Sequence, residues 1–487
     1  MSKQDDVDRA AQESLRLLGA DPANWVLPTP GVDHDVAVIG GGQSGVTIAF
    51  ALRRAGVSNV TVLEAADRAT TGVWRTRARM NTLRTPKTRS GPELGNPALG
   101  FQAWYEGLYG QAAYQAIGRI ARTDWADYLD WFQRQVGVEV RYGTRVVDVE
   151  PVEGLLRLHL DTDGRRHTEV VRKLVLANGV EGTGGPSIPA IFEALPEHLY
   201  AHTGDEIDFA ALNGKKVGVL GAATSALDAA AVALESGADE VHVFSYRAEL
   251  VIQPSGGNVP NPGAQENFHL QPDAVRWKSR WAQASKGSTS PLDTVLRAVA
   301  FPNLRLHFNA PWTSLRAEDG RAVVEAADGT HTYDFVIAGT GYRYDPRTRP
   351  ELRRIAEDVA LWRDVYDPPA DLRSEVLGAF PYLGKGYELT ERVPGSAPWL
   401  RDIHLFNAAA SHSFGRPVGD IPSLRTGVPR LVEAISHDLF FADQGRPKPV
   451  TAAAGESFVE HYAHAVWRPD AEGVGDVEGV GVEATVG

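Results

Sequence analysis

The residues with the clearest chemical signature are Gly40-Gly41-Gly42-Gln43-Ser44-Gly45, set between a β-branched run, Asp35 to Ile39, and an Ala-rich segment, Val46 to Ala55. This G-x-G-x-x-G spacing binds rather than breaks bonds. Gly40 permits a tight turn, Gly42 lets the backbone approach a pyrophosphate, and Gly45 lets helix and strand pack closely. Ser44 stands in the first turn of the helix, whose N-terminus faces the phosphates. Glu64 follows the next apolar strand, Asn59 to Leu63, and lies 24 residues after Gly40. A carboxylate there can accept the ribose hydroxyls of an adenosine.

The pattern returns downstream in Gly221-Ala222-Ala223-Thr224-Ser225-Ala226, after the strand Lys216 to Leu220 and before a second apolar strand, Glu240 to Phe244. Gly221 keeps the turn, but Ala223 replaces the second glycine, and its methyl group pushes the backbone away from a pyrophosphate. Looser binding suits a cosubstrate that comes and goes. Thr224 and Ser225 open this helix. The second strand ends in Ser245-Tyr246-Arg247 instead of an acid. A guanidinium there can pair with a ribose 2′-phosphate, which favours NADPH over NADH, the competing reading being an ordinary surface charge.

A basic cluster, Arg75, Arg77, Arg79, Arg84, Lys87 and Arg89, stands out in an acidic chain, with Arg416 and Arg425 far downstream. Such groups pair bidentately with carboxylates, so Arg75, Arg84, Lys87 and Arg416 are substrate-binding candidates. Surface charge and contacts to cofactor phosphates are the competing readings. No metal is expected: His198 and His202 could share a helix face and His461 and His464 are three apart, but neither pair has a third ligand at a supporting spacing.

Two strand–helix–strand units position these residues. Each is followed by strands with Asp-Gly turns, at Asp163-Gly164 in the first copy and at Asp319-Gly320 and Asp328-Gly329 in the second. Each then closes on a glycine-ended strand, through Asn178-Gly179 and through Thr340-Gly341. A length of 487 residues with 43% hydrophobic content allows two or three domains. The formal charge of −13 argues against a nucleic-acid partner. With no cysteine in the chain, disulfides and thiol chemistry are excluded. The acidic N-terminus is unlike a signal peptide, and glycines interrupt the most apolar stretch, Val36 to Leu52. A cytoplasmic protein without a membrane partner is expected, with homo-oligomerisation left open.

The chain resembles the class B flavoprotein monooxygenases, which include flavin-containing, Baeyer–Villiger and amine N-hydroxylating enzymes. The resemblance rests on both fingerprints, on Gly72-Val73-Trp74, on Leu83-Arg84-Thr85-Pro86-Lys87, similar to L-x-T-N-x-P-K, and on Ala338-Gly339-Thr340-Gly341-Tyr342, similar to A/C-T-G-Y. It implies FAD in the first cradle and NADPH in the second. Trp74 would line the flavin edge or fill core, and Thr340 to Tyr342 would cross between domains. The stretch from Ser411 to Ser423 would place a helix N-terminus, at Asp420 and Ile421, under the flavin pyrimidine ring. Two departures count. Pro196 and His198 stand where the Baeyer–Villiger fingerprint has Phe and Gly, although His202 falls at its histidine position, and no asparagine lies between Thr85 and Pro86.

The fold implied is α/β, with two Rossmann-like dinucleotide-binding domains, each carrying a β-meander, the FAD domain being discontinuous. The expected boundaries are 1–30 for an N-terminal helix and connector, 31–185 and 336–468 for the FAD domain, 186–335 for the NADPH domain and 469–487 for a flexible tail. The implied activity is NADPH- and O2-dependent oxygenation through a C4a-hydroperoxyflavin, the cofactor carrying the chemistry. The substrate expected is a small amine or amino acid, aspartate being one that fits the arginines, hydroxylated on nitrogen. A Baeyer–Villiger or sulfur oxygenase, and a flavin oxidase or non-catalytic flavin-binding module, are the alternatives.

Overall fold

The computed structural model describes residues 2–253, 261–446 and 458–467. Its first sheet is organised by one long strand, Arg165–Leu176, whose outer half is exposed and inner half buried. The outer half pairs antiparallel with Leu155–Thr162, which pairs with Thr144–Val152, giving the meander. The inner half, Val171 to Leu176, lies between two parallel neighbours, His34–Ile39 and Ile403–Leu405, and Val60–Leu63 flanks the former. A strand buried over six consecutive residues is covered on both faces.

The strand from 403 to 405 and the long helix Ile421–Ala442 return to this domain from the far end of the unit. Two buried cations hold that return. Arg172 Nη2 is 2.8 Å from Asp443 Oδ1, and Lys173 Nζ is 2.7 Å from Asp402 Oδ1 and 2.5 Å from Asp438 Oδ2. Both cations are nearly inaccessible, so their buried charges depend on these carboxylates for compensation.

The second sheet is parallel throughout, in the order Leu304–His307, Glu240–Phe244, Lys216–Leu220, Phe335–Ala338, Tyr200–His202. Its meander is Trp312–Glu318, Arg321–Ala326 and Gly329–Tyr333. Because Phe335–Ala338 pairs inside this sheet, the second nucleotide domain runs to Ala338, beyond the boundary at 335 expected from the sequence. The two crossings between domains lie side by side, Gly184–Pro186 pairing antiparallel with Tyr342–Tyr344.

The sequence reading did not anticipate a third packing centre. Helix Asp273–Lys286, inserted after the strand Glu240–Phe244, packs Trp277 against Trp362 and Leu377. At the N-terminus, helix Lys3–Leu17 is closed by a capping box between Ser2 and Asp5 and is anchored by Asp8 Oδ1, which accepts a 2.8 Å bond from Trp131 Nε1. These elements belong to one compact unit, Met1–Asp443. The second unit, Gln444–Gly487, shows a short helix, Val459–Tyr462, running into a 3-10 turn, Ala463–Ala465. The tail at 469–487 lies outside the described residues. Among the described residues no helix is long and apolar enough to cross a membrane.

Candidate cofactor and active site

In the first cradle the three glycines divide their work. A Cβ on Gly40 (φ +109°) would stand 2.6 Å from the Ala177 carbonyl oxygen, and one on Gly45 would stand 1.8 Å from that of Gly40. Both positions are closed to any side chain. A Cβ on Gly42 would meet nothing within 4 Å, so its face is open where a pyrophosphate must approach. Gly42 is the N-cap of helix Gln43–Arg54, and no side chain caps it. The first-turn N–H groups therefore lack a side-chain acceptor, which fits an anionic cofactor.

Glu64 ends the neighbouring strand with its carboxylate fixed by 2.8 Å bonds from the Gly41 and Ala66 amides. Beside it opens a cavity of about 520 Å³ lined by Ala65, Ala66, Asp67 and Arg145. Asn178 is held from two sides, donating to Glu351 Oε1 at 3.0 Å and accepting from Asn407 Nδ2 at 2.9 Å. Gly179 next to it is left-handed, at φ +68°. Asn407 is fully buried and also accepts from the Ala409 amide. No sequence pattern singles out Asn407, a lone asparagine in an apolar run.

Gln43, the variable position of the fingerprint, acts as a clamp. Its Nε2 donates to the Gly419 carbonyl at 2.9 Å and its Oε1 accepts from Trp125 Nε1 at 3.2 Å. The turn carrying Asp420 and Ile421 is thereby brought beside the first cradle and beside buried Ser44. Asp420 caps helix Ile421–Ala442 by accepting from the Ser423 amide at 2.9 Å, and burial pushes its carboxyl up. Trp74 is half-buried against the core, and its carbonyl accepts from Arg122.

The second cradle repeats the first with one exchange. A Cβ on Gly221 would stand 2.4 Å from the Gly339 carbonyl oxygen, so Gly339 occupies the place that Ala177 holds in the first copy. A Cβ on Gly339 would lie 2.5 Å from that of Ala226, so with alanine at the third fingerprint position the facing strand has room only for glycine. Ala223 is the N-cap of helix Thr224–Glu235, again without a side-chain cap. Thr224 Oγ1 donates to the Thr289 carbonyl, while Ser225 is exposed. Thr340, the counterpart of Asn178, keeps a buried hydroxyl with no hydrogen-bond partner, and Gly341 is left-handed at φ +77°. Strand register makes Ser245 the counterpart of Glu64. Arg247 lies over the Tyr246 ring at 5.2 Å and has no carboxylate partner among the described residues.

The basic cluster does not converge on one site. Arg75 pairs with Asp127 and Asp130, and Arg77 with Glu181. Lys87 donates to the carbonyls of Tyr114, Gln115 and Ile117 and sits over the Tyr114 ring. Arg79 and Arg84 face the second domain instead. Arg79 donates to the carbonyls of Thr203 and Asp205, and Arg84 pairs with buried Asp228 at 3.2 Å. Arg416 (15% exposed) and Arg430 (22%) share one carboxylate, Glu266, at 3.4 and 3.2 Å. One positive charge is in excess there, beside Phe414, which stacks on Tyr387 at 3.9 Å and on His269 at 5.2 Å.

The pair His198 and His202 also differs from expectation. His198 lies on a 3-10 turn and His202 on a strand, so they share no helix face. His202 is buried at the domain crossing, edge-on to Tyr342 at 5.3 Å, and burial holds its ring below the ordinary imidazole range.

Comparison with known proteins extends this geometry. The family model described as pyridine nucleotide-disulphide oxidoreductase matches residues 34–259, although the chain has no cysteine for disulphide chemistry. The FAD-dependent urate hydroxylase of Xanthomonas campestris pv. campestris is 37% identical over 444 residues, which cover 90% of this chain and 93% of that one. The fold is shared with the ornithine hydroxylase of Pseudomonas aeruginosa in its reduced form, at TM-score 0.65 and 18% identity over 84% of this chain and 100% of that one. It is shared too with the L-lysine 6-monooxygenase of Pseudomonas syringae, at TM-score 0.64 and 21% identity over 83% of this chain and 99% of that one. Two nucleotide cradles with uncapped helix ends, together with a relative matched along nine-tenths of the chain, establish that this protein belongs to the FAD-dependent hydroxylases and is a flavoprotein monooxygenase using FAD and a nicotinamide cofactor.

Proposed function

We propose that the enzyme spends NADPH and dioxygen to hydroxylate a small planar, nitrogen-rich anion, urate being the first to test. Bound FAD would supply the redox chemistry, by which a nicotinamide hydride and a proton reduce one oxygen atom of dioxygen to water as the other is inserted into the substrate. The chain binds and orients. Gly40, Gly42 and Gly45 with the Gln43–Arg54 helix end hold the flavin pyrophosphate, and Glu64 the ribose. Gly221, Ala223, Thr224 and Thr340 hold the nicotinamide cofactor. NADPH is favoured over NADH because Ser245 removes the carboxylate that Glu64 supplies in the first copy, while Arg247 is available to a 2′-phosphate.

One observation carries the substrate class: Arg416 and Arg430 converge on a single carboxylate beside stacked Phe414 and Tyr387. Two members of this net-positive group, Phe414 and Arg416, lie on the segment that leads into Gly419, whose carbonyl Gln43 ties to the first cradle. Phe414 and Tyr387 are buried and back the arginines, and a flat anion can pair with the excess charge. The similarity to a urate hydroxylase supports the same class. N-hydroxylation of a small amine or amino acid such as aspartate is the second reading. It rests on Arg416 alone, because Arg75, Arg84 and Lys87 are engaged elsewhere.

The test is NADPH oxidation, oxygen uptake and product mass with urate, aspartate and ornithine. Urate is expected to accelerate NADPH oxidation and to give a product carrying one oxygen from dioxygen. Acceleration by an amino acid alone, with a hydroxylamine product, establishes the second reading instead. No acceleration by any of them refutes both.

A further inference from the structure

On the outer edge of the second nucleotide domain, five titratable side chains from three strands and a turn form an unbroken row. Glu240 Oε2 is 3.2 Å from His242 Nε2, and His242 Nδ1 is 2.8 Å from His307 Nε2. His307 Nδ1 is 2.5 Å from Asp328 Oδ2, and Asp328 Oδ1 is 3.1 Å from His331 Nε2. The nucleotide cradles described above use none of these side chains.

Counting hydrogens shows that the row is incomplete. Each contact joins two atoms that both carry lone pairs, so each needs a hydrogen or a cation between them. A neutral imidazole brings one N–H. His331 uses its own on Asp328, which leaves His242 and His307 with two hydrogens for three contacts. The row therefore requires one more positive charge than neutral histidines carry.

We propose that this charge is a divalent transition-metal ion of the zinc type, held by His307 Nδ1, the Asp328 carboxylate and His331 Nε2. These three ligand atoms lie within 4.8 Å of one another. Ligand atoms at zinc distances stand about 3.4 Å apart, so the His307–Asp328 contact opens by about an ångström on binding. Asp328 is the exposed member of the trio, on a hairpin turn, and can make that movement. The hydrogen count then closes. His307 donates from Nε2 to His242, and His242 donates from Nε2 to Glu240, the outer-shell arrangement that fixes the tautomer of a metal-bound histidine. Lys216 (3.5 Å) also faces Glu240 Oε2, and Arg305 (3.4 Å) faces Oε1. A three-ligand site leaves a position for water, and the ion would pin the hairpin Gly329–Tyr333 to strand Leu304–His307.

The experiment uses the untagged, FAD-loaded full-length chain, stripped with a chelator and dialysed against Zn2+ at about pH 7.5, with bound metal measured. One equivalent is expected, with at least tenfold weaker binding in His331→Ala and in Asp328→Asn. Zn2+ should raise the melting temperature of the wild type but not of His331→Ala, while both variants keep their FAD and their NADPH oxidation. Absence of binding, or binding that is equal in wild type and Asp328→Asn, overturns the proposal and leaves a hydrogen-bonded histidine row holding an extra proton only.

Discussion

Replacing Gly339 with alanine tests whether the second cradle is built by compensation. The new Cβ would lie 2.5 Å from Ala226 Cβ, 2.9 Å from the Leu220 carbonyl oxygen and 3.2 Å from Ala226 Cα. Carbon atoms pack best at about 3.5–4.0 Å, so the methyl pair overlaps by at least about 1 Å. Neither partner is a flexible side-chain end, and overpacking of this kind costs about 1–3 kcal/mol. Ala226→Gly alone costs about 1–2 kcal/mol, through lost helix propensity and one buried methyl group. In the double variant the shortest contact disappears, while those to Leu220 and the Ala226 backbone remain, so rescue is partial. The double variant should be about 1–2 kcal/mol more stable than the sum of the singles, beyond the additivity error of about 0.5 kcal/mol. Urea unfolding followed by circular dichroism, with KM for NADPH as a second readout, measures it. Additive losses, or a Gly339→Ala variant as stable as wild type, would refute the compensation.

Arg247→Ser should raise KM for NADPH about 10–100-fold and leave NADH unchanged, as expected for a lost charge-assisted phosphate contact of about 1.5–3 kcal/mol; equal effects on both cofactors would remove Arg247 from the 2′-phosphate site. Gly42→Ala should leave the apoprotein as stable as before, since its Cβ meets nothing within 4 Å, yet weaken FAD binding about tenfold or more, as read by flavin fluorescence titration. Thr340→Val should stabilise the protein free of nicotinamide cofactor slightly, because it removes an unpartnered buried hydroxyl, while raising KM for NADPH; an unchanged KM would mean that this hydroxyl does not meet the cofactor. His412 is fully buried among Trp277, Trp362 and Phe380 with both ring nitrogens unpartnered, and burial lowers its pKa from 6.5 to about 3. Only the unfolded chain protonates it between those values, so stability is full above about pH 6.5 and falls by up to about 1.4 kcal/mol per pH unit below it. His412→Phe should flatten that acid limb in melting curves, and an unchanged limb would place the acid sensitivity elsewhere.

Both cradles were legible because a fingerprint is local: six consecutive residues and the end of the next strand specify the turn, the packing and the phosphate approach together. The Asp-Gly hairpins were legible for the same reason, Asp319 and Gly320 both being left-handed at φ +48° and +73°. What escaped was whatever depends on contact between distant segments. Asn407 and Glu351 meet Asn178 from positions more than 170 residues away, and neither residue type at its place in the chain announces the meeting. The arginines misdirected the reading for the complementary reason. Clustering in sequence says nothing about direction, and Arg79 and Arg84 turn to the second domain while Arg75 turns to Asp127 and Asp130. The histidine row was hidden likewise, its members lying on three strands and a turn that only the folded sheet aligns.

On the proposed reading, the same scaffold would serve a resident and an exchanging cofactor through three equivalent positions. At Gly42 the backbone is open to the pyrophosphate, whereas Ala223 interposes a methyl group. At Glu64 a carboxylate is already fixed by two backbone amides, whereas Ser245 offers no charge and leaves recognition to Arg247, a longer and half-exposed side chain. At Asn178 the amide is locked between Asn407 and Glu351, whereas Thr340 holds an unpartnered hydroxyl. In each pair the first copy is organised before the cofactor arrives, so little is lost in ordering it and binding is correspondingly tight. The second copy leaves groups to be satisfied on arrival and released on departure. A cosubstrate that must leave oxidised after each hydride transfer needs that arrangement, and a flavin that stays through every turnover needs the other.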